Sequence, residues 1–176
     1  MIIWLASYPR SGNTMLRMIF KAVFDIETYS KYDDLLDIGD DQKTAELVGH
    51  KKLDGSWEDI YRDWYSSDRI YVVKTHDVPE DDSKVVYIVR DGRSAVVSYN
   101  NYLKDFAKKY PLSEIISGFV PFGSWGGHLD AWDPLNRANT LFVRFEDILV
   151  SPEKEITRIS EFTGLKICGE WKNDFE

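Results

Sequence analysis

The start of the chain constrains the fold most, because an apolar run, a turn-forming loop and an amphipathic segment follow one another directly. Ile2 to Ala6 is apolar and ends at residues 7–13, which contain Pro9 and Gly12. A short apolar run bounded by Pro and Gly is typical of a buried parallel strand. From Thr14 to Phe24 the apolar residues recur at helical spacing. The opening unit is therefore predicted to be strand, tight loop and helix.

Further strands and helices alternate along the rest of the chain. The predicted strands are Ile2–Ala6, Arg69–Lys74, Val85–Val89 and Thr140–Arg144, and the predicted helices are Thr14–Phe24, Ser56–Tyr65, Gly92–Phe106, one after the Pro- and Gly-broken stretch 111–125, and Pro152–Thr163, which Gly164 ends. Such alternation indicates a parallel sheet covered on both faces. We predict a three-layer α/β fold with a parallel sheet of about four to five strands, helices on both faces and a single domain over residues 1–176.

Composition narrows the classes of protein and partner. The net charge of −8 argues against a nucleic-acid coat, but a local cluster of Lys and Arg could still bind a small anion. Cys168 is the only cysteine, which excludes an internal disulfide and favours the cytoplasm. No apolar stretch approaches the roughly 20 residues of a membrane span, and the start lacks the pattern of a signal peptide. We expect a soluble cytoplasmic protein with neither nucleic-acid nor membrane partners.

The loop between the first strand and the first helix is a candidate anion site. A helix start presents unpaired N–H groups, and Gly12 lets the backbone approach a ligand. Ser11, Asn13 and Thr14 add polar side chains, and Arg10 can direct two donors at one anionic group. The loop lacks the Lys of the pattern G-x-x-x-x-G-K-[ST]. A plain strand-to-helix turn capped by Asn13 or Ser11 is the alternative.

Two basic side chains end the second predicted strand. Because side chains alternate along a strand, Lys74 and His76 are expected on one face, with Thr75 on the other. Lys74 is a fixed cation, and an imidazole with an ordinary pKa of about 6.5 can take up a proton near neutral pH. The alternative is an ordinary basic residue beside a hydrogen-bonded histidine.

A second candidate anion site follows the third predicted strand. Arg90 ends that strand, and Ser98 shares a helix face with Ser94. Arg90 and Ser98 could together hold a phosphate. The alternative is a helix N-terminus with Asp91 as its cap and Arg93 in solvent, which explains Asp91 but not Ser98.

Taken together, these segments resemble the cytosolic sulfotransferase family. The segment 8–14 is similar to its 5′-phosphosulfate loop, with Arg10 where many members have Lys. Lys74-Thr75-His76 resembles its catalytic segment, and 89–99 resembles its 3′-phosphate motif, with the same spacing from Arg90 to Ser98. Residues 122–125 with His128 and Trp132, and 145–147 with the helix that follows, resemble further family segments in the family's order.

The resemblance implies a P-loop-like phosphosulfate-binding loop and 3′-phosphoadenosine 5′-phosphosulfate (PAPS) as co-substrate. It implies catalytic roles for Lys74, His76 and Arg10. It implies nucleotide contacts for Arg10, Ser11, Gly12, Asn13, Thr14, Met15, Arg90, Ser98 and Phe145. His76 would be the general base, while Lys74 and Arg10 would stabilise the leaving phosphate. We expect a small-molecule acceptor and no metal.

The sequence departs from the family at three places. Met15 stands where members often have a Trp that stacks on adenine, and Phe145 stands where a Tyr can bind it. The family's Arg-Lys-Gly loop, which binds the 3′-phosphate, has no counterpart in this sequence. Lys166 and Lys172 are the candidate replacements.

Two other functions are compatible with these residues. One is a protein that binds PAPS or its product without catalysis, and the other is an ATP- and Mg²⁺-dependent P-loop phosphotransferase. The acceptor would lie among residues 25–68 and 107–125, where the candidate lining residues, equally suited to a core, are Tyr29, Trp57, Trp64, Tyr102 and Phe122. His128 is the second candidate base, and the oligomeric state is left undetermined.

Overall fold

A parallel sheet of six strands forms the centre of the molecule. The computed structural model describes residues 1–32, 42–105 and 110–172. The strands are β1 (Ile2–Ala6), β2 (Thr28–Ser30), β3 (His50–Lys51), β4 (Tyr71–Thr75), β5 (Lys84–Val89) and β6 (Thr140–Arg144). They lie in the order β3-β2-β4-β1-β5-β6, and every adjacent pair is parallel. The predicted parallel α/β architecture is confirmed.

The expected number of strands, four to five, was slightly too low. The two strands that the sequence did not reveal, β2 and β3, contain three and two residues. Such short segments carry no readable alternation, and they form because β2 pairs with β4 and β3 then pairs with β2. These strands extend the sheet on the side of β4.

Eight helices appear in the described part of the chain. They are α1 (Asn13–Phe24), α2 (Gln42–Val48), α3 (Trp57–Tyr65), α4 (Gly92–Asp105), α5 (Leu112–Ser117), α6 (Trp125–Trp132), α7 (Phe145–Val150) and α8 (Pro152–Thr163). The sequence did not indicate α2, α5 or α7, which contain seven, six and six residues. Phe106, the predicted end of α4, lies outside the described residues. Among these eight, none combines the length and the apolar character needed to cross a membrane.

Alternating side chains of β1 divide the core into two layers. Ile3 and Leu5 pack with α1 and α8 on one face of the sheet. Ile2 and Trp4 pack on the other face, against aromatic side chains of α3 and α6. All five residues of β1 are buried. The strand is therefore covered on both sides, which explains its uninterrupted apolar sequence.

The strand order brings the candidate motifs together at the carboxyl ends of the central strands. β1 lies between β4 and β5, with Ala6 beside Thr75 and Tyr87. Because these strands are parallel, the segments that follow them emerge at the same end of the sheet. The loop after β1, the Lys74–His76 segment and Arg90 are therefore neighbours.

Candidate active site

The loop after β1 has a backbone suited to binding an anion. Arg10 (φ 64°) and Gly12 (φ 102°) both adopt left-handed conformations. Successive N–H groups in such turns point into a shared concavity that attracts negative charge. Gly12 suits this position, because its φ is unfavourable for other residues and a Cβ there would overlap the ring of Phe145.

The side-chain cap of α1 that the alternative interpretation of the loop requires is absent. Gly12 is the N-cap residue and forms no side-chain cap, while Asn13 turns inward instead. Its Nδ2 donates to the Leu5 carbonyl at 2.9 Å and to Ser7 Oγ at 3.2 Å. The alternative of a turn capped by Asn13 or Ser11 is therefore wrong in its capping group. Asn13 fastens the loop to the end of β1.

Buried polar atoms in this loop have unused hydrogen-bonding capacity. Ser11 Oγ and Asn13 Oδ1 are buried and have no hydrogen-bond partner among the described residues. Buried polar groups normally have hydrogen-bond partners. Unpaired ones beside a loop of this shape are therefore consistent with a bound ligand that would supply the missing hydrogen bonds. Thr14, at the first turn of α1, is exposed.

Arg10 connects the two predicted anion sites. Its Nε donates to Ser98 Oγ at 3.3 Å, and its carbonyl accepts a hydrogen bond from Arg90 Nη1 at 3.4 Å. Its guanidinium also lies 5.1 Å from the centre of the Tyr102 ring. The structure thus brings together Arg10, Arg90 and Ser98, which are far apart in sequence.

The two residues that replace the family's adenine contacts have different surroundings. Phe145 lies beside Gly12, and the Arg90 guanidinium stacks 4.7 Å from the centre of its ring. Met15 is 6% exposed and belongs to the core between the sheet and α1. An adenine contact by Met15 stays a prediction.

The start of α4 has both features that the sequence left as alternatives. Asp91 Oδ1 accepts a hydrogen bond from the Ser94 N–H at 3.1 Å, so it caps the helix. Hydrogen bonds from Arg93, and then from the Ser94 N–H, hold the pKa of Asp91 at about 2. A cavity of about 630 Å³ lies alongside and is lined by Arg90, Asp91, Arg93, Ser94, Val97, Ser98 and Asn101. The helix cap and a cavity bordered by Arg90 and Ser98 therefore coexist, and anion binding there stays a prediction.

His76 is held by contacts to three other segments. Its backbone N–H donates to Tyr32 Oη at 2.7 Å, and its carbonyl accepts from His128 Nε2 at 3.0 Å. Its Nδ1 lies 2.7 Å from the Ser7 carbonyl oxygen. A carbonyl oxygen can only accept, so Nδ1 carries the proton in that hydrogen bond. Nε2 of a neutral His76 then has the lone pair.

Lys74 is 5% exposed and follows Val72 and Val73 on β4. It pairs in register with Leu5, so both side chains lie on the face covered by α1. β4 ends at Thr75, so the strand alternation that predicted a shared face for Lys74 and His76 does not extend to His76.

Tyr32 is a contact of His76 that sequence reasoning missed. Besides accepting from the His76 N–H, its Oη lies 3.3 Å from Thr75 Oγ1, and its ring is nearly parallel to the imidazole at a centroid distance of 6.0 Å. Burial raises the pKa of Tyr32 above its ordinary value, so the hydroxyl stays protonated. Tyr32 belongs to no motif and follows a three-residue strand, so no local signal marked it.

His128, the second candidate base, has both ring nitrogens in hydrogen bonds. Nε2 donates to the His76 carbonyl, and Nδ1 accepts from Tyr87 Oη at 2.8 Å. Burial lowers the pKa of His128 to about 4, so the ring is neutral at physiological pH. This arrangement supports the His76 backbone.

The predicted acceptor residues divide between core and cavity. Tyr29, Trp57 and Trp64 pack against the core on the α3 side of the sheet, and Trp57 also lines a cavity along α3. Phe122 lies 5.5 Å from the His76 ring, and both line a cavity of about 520 Å³. Tyr102 contacts Arg10 instead.

The segment after α8 lies far from the anion loop. Cys168 N and Gly169 N both donate to the Val23 carbonyl near the C-terminal end of α1, at 2.9 and 3.0 Å. With a rise of about 1.5 Å per residue, this point is roughly 15 Å along the helix from Asn13. Lys166 and Lys172 flank this contact and are exposed, while residues 173–176 lie outside the described part.

Within residues 1–32, 42–105 and 110–172, no group of three or more His, Cys, Asp and Glu side chains could hold a metal ion. A metal-free reaction stays a prediction.

Comparison with known proteins agrees with this geometry. The chain is similar to mouse Sulfotransferase 1A1, with 37% identity over 90 residues that cover 46% of this chain and 31% of that protein. It is similar to Sulfotransferase 1E1 of Bos taurus, with 26% identity, covering 94% of this chain and 60% of that protein. The fold is similar to that of mouse sulfotransferase SULT7A1 complexed with PAP, with a TM-score of 0.66, 21% identity, and coverage of 98% of this chain and 59% of that one.

The chain thus spans less than two thirds of the length of these relatives. A family model described as a sulfotransferase domain matches residues 2–174, which is nearly the whole chain. The chain belongs to the sulfotransferase family.

Proposed function

We propose that this chain transfers the sulfuryl group of PAPS to a hydroxyl or amine of a small-molecule acceptor. The hydrogen bond from His76 Nδ1 to the Ser7 carbonyl carries this proposal. With Nδ1 protonated, Nε2 of a neutral His76 can take up a proton, and the ring lies beside the segment that leads into the Arg10–Thr14 loop, which supports the proposal. A proton acceptor next to a phosphosulfate loop is what the transfer requires.

The nucleotide would bind through two anion sites. The Arg10–Thr14 loop would hold the 5′-phosphosulfate with its backbone N–H groups, and Arg90 with Ser98 would hold the 3′-phosphate. The Phe145 ring lies 4.7 Å from the Arg90 guanidinium, so an adenine bound next to it would be close to the proposed 3′-phosphate site. The product that PAPS leaves after transfer is 3′,5′-diphosphoadenosine (PAP), and we expect it to bind at this site. PAP is also the ligand named in the complex of the similar mouse protein.

The chemistry follows from the placement of charge. The bond between sulfur and the bridging oxygen breaks as a bond from the acceptor oxygen to sulfur forms, and the acceptor's proton goes to His76 Nε2. Negative charge grows on the phosphate that leaves, so cations close to it lower the barrier most. Lys74 and Arg10 would supply that charge, and Arg10 acts by electrostatics alone because its guanidinium stays protonated.

Sulfate transfer from PAPS to a panel of phenols, alcohols and amines, in the presence of a chelator, tests the proposal directly. We expect transfer to at least one acceptor. In a parallel assay without chelator, turnover that requires ATP and Mg²⁺ would establish the phosphotransferase alternative. Stabilisation by nucleotide without any transfer would establish a binding protein.

A melting experiment tests the two anion sites separately. At one hundred times its dissociation constant, a ligand raises stability by about 2.7 kcal/mol. We expect PAP to stabilise the protein more than AMP or ATP, and Arg90→Ala to remove most of the preference over AMP. The control is Arg69→Ala, which removes an exposed arginine that contacts Tyr71. Equal increases in melting temperature with PAP and with AMP in the unchanged protein would reject the two-site arrangement.

A further inference from the structure

Two cavities meet at a single ion-paired partition. The first is lined by His76 and Phe122, and also by Lys31 and Glu80. The second, of about 530 Å³, lies along α3 and is also lined by Lys31 and Glu80. Because the same two side chains border both cavities, the cavities are neighbours that share Lys31 and Glu80 as a common wall.

The partition is a network of three charges. Lys31 Nζ donates to Asp77 Oδ2 at 2.7 Å and forms a second ion pair with Glu80. Burial lowers the pKa of Lys31, but the hydrogen bonds to the two carboxylates outweigh it and raise the pKa above its ordinary value. The side chains retain 19%, 33% and 30% exposure for Lys31, Asp77 and Glu80. Partly solvated charges of this kind can bind a polar group passing between them.

The second cavity has an aromatic wall at helical spacing. Trp57, Tyr61 and Tyr65 lie one turn apart on α3, with ring centroids 5.6 and 5.7 Å apart. Trp57 and Tyr61 pack partly on the core, whereas Tyr65 is 52% exposed. We call these three side chains the aromatic shelf. Rings at such distances offer faces and edges on which a planar group can pack.

We propose that the acceptor site has two compartments, and that its preferred acceptor is an elongated molecule with two ring systems. This inference rests on the proposed function. The reacting hydroxyl and its ring occupy the cavity beside His76, a polar linker passes Lys31 and Glu80, and the second ring packs on the aromatic shelf. Both cavities fall in the usual size range of small-molecule sites.

A matched pair of phenols tests the aromatic shelf. Phenol fits the first compartment alone, whereas 4-(2-phenoxyethoxy)phenol carries a second ring on a polar ether linker. We expect Tyr65→Ser to lower the ratio of kcat/KM for the long acceptor to that for phenol by about 3- to 10-fold, since one aromatic contact is lost. The control is Phe119→Ser, which removes a 75% exposed aromatic outside both cavities. An unchanged ratio in Tyr65→Ser would overturn the proposal.

Binding measurements separate this proposal from the proposed function. If neither phenol is sulfated, the proposed activity fails, and calorimetric titration of the PAP-saturated protein with the long phenol still tests the shelf. Weaker binding to Tyr65→Ser than to Phe119→Ser supports it. Equal binding to the two variants, or no binding to the unchanged protein, overturns it.

Discussion

The phenolic oxygen of Tyr32 accepts a hydrogen bond of 2.7 Å from the backbone nitrogen of His76. The same oxygen lies 3.3 Å from Thr75 Oγ1, and the two rings are almost parallel, with 12° between their planes. The side chain of Tyr32 therefore fixes both the backbone and the ring of the proposed base. Its role would be positioning, since Nε2 of His76 is the atom that takes up the acceptor's proton in the proposed mechanism.

Tyr32→Phe keeps the ring and removes the hydrogen-bond acceptor. The His76 N–H would lose its partner, which typically costs about 1–3 kcal/mol if the group stays buried. We expect kcat to fall about 10- to 100-fold through misplacement of the base, with unchanged affinity for PAP. Steady-state kinetics and a PAP titration measure the two effects. Tyr71→Phe, on a ring stacked against Trp64, is the control. Equal kcat in Tyr32→Phe and Tyr71→Phe would remove the positioning role.

His76→Ala should damage turnover far more than nucleotide binding. Loss of a general base typically lowers the rate by about 10²- to 10⁴-fold, and the Arg10–Thr14 loop is left intact. Single-turnover assays and PAP titrations separate the two quantities. A variant that transfers sulfate at the unchanged rate would end the assignment of His76 as base.

Lys74→Ala should also reduce turnover, with a modest loss of nucleotide affinity. Charge near the bridging oxygen grows mainly in the transition state, so an interaction there appears chiefly in kcat. Because Lys74 is buried, a melting curve must accompany the kinetics. A change in PAP affinity as large as the change in kcat would place Lys74 in ground-state binding instead.

Gly12→Ala should destabilise the protein and weaken nucleotide binding together. A Cβ at Gly12 would overlap the Phe145 ring, and its φ of 102° is unfavourable for alanine. Strain of this kind costs about 1–3 kcal/mol, measurable by urea denaturation. Gly126→Ala is the matched control, since its Cβ would meet nothing within 4 Å and it lies in a helix. Equal stability of the two variants would show that the loop tolerates a side chain.

The pKa of His128 predicts a loss of stability in acid. Burial lowers this pKa to about 4 from an ordinary 6.5, so between these values the unfolded chain binds a proton that the folded protein excludes. Stability is therefore full above pH 6.5 and falls as the pH drops, by about 2 kcal/mol at pH 5 from this residue alone. His128→Gln should show a correspondingly smaller decrease in urea denaturation between pH 7.5 and pH 5. If the free energy of unfolding decreased equally with pH in His128→Gln and in the unchanged protein, the prediction would be wrong.

Sequence reasoning succeeded where the signal was local. The apolar β1, the loop with Gly12 and the amphipathic α1 are adjacent in the chain, and the structure has them as predicted. Pro152 and Gly164 likewise mark the bounds of α8.

The remaining features depend on contacts between distant segments. β2 and β3 have no sequence pattern and form only by pairing with strands already in the sheet. Tyr32 follows β2 and contacts His76 after β4, while Arg10 in the loop after β1 contacts Ser98 in α4. The spacing of these residues along the chain predicts neither contact. The direction of Asn13, which turns inward instead of capping α1, is likewise set by the position of Ser7 after β1.

The hydrogen bond between His76 and Ser7 joins residues 69 positions apart, which has a consequence for how the protein acquires activity as it folds. Parallel pairing over such separations is slow, because the chain must close a long loop before any contact repays the lost entropy. Helix α1 and the loop before it can form early, but His76 is oriented only after β4 has joined β1. In refolding from urea, sulfate transfer should therefore return with the slow assembly of the sheet, after most of the helical signal has recovered.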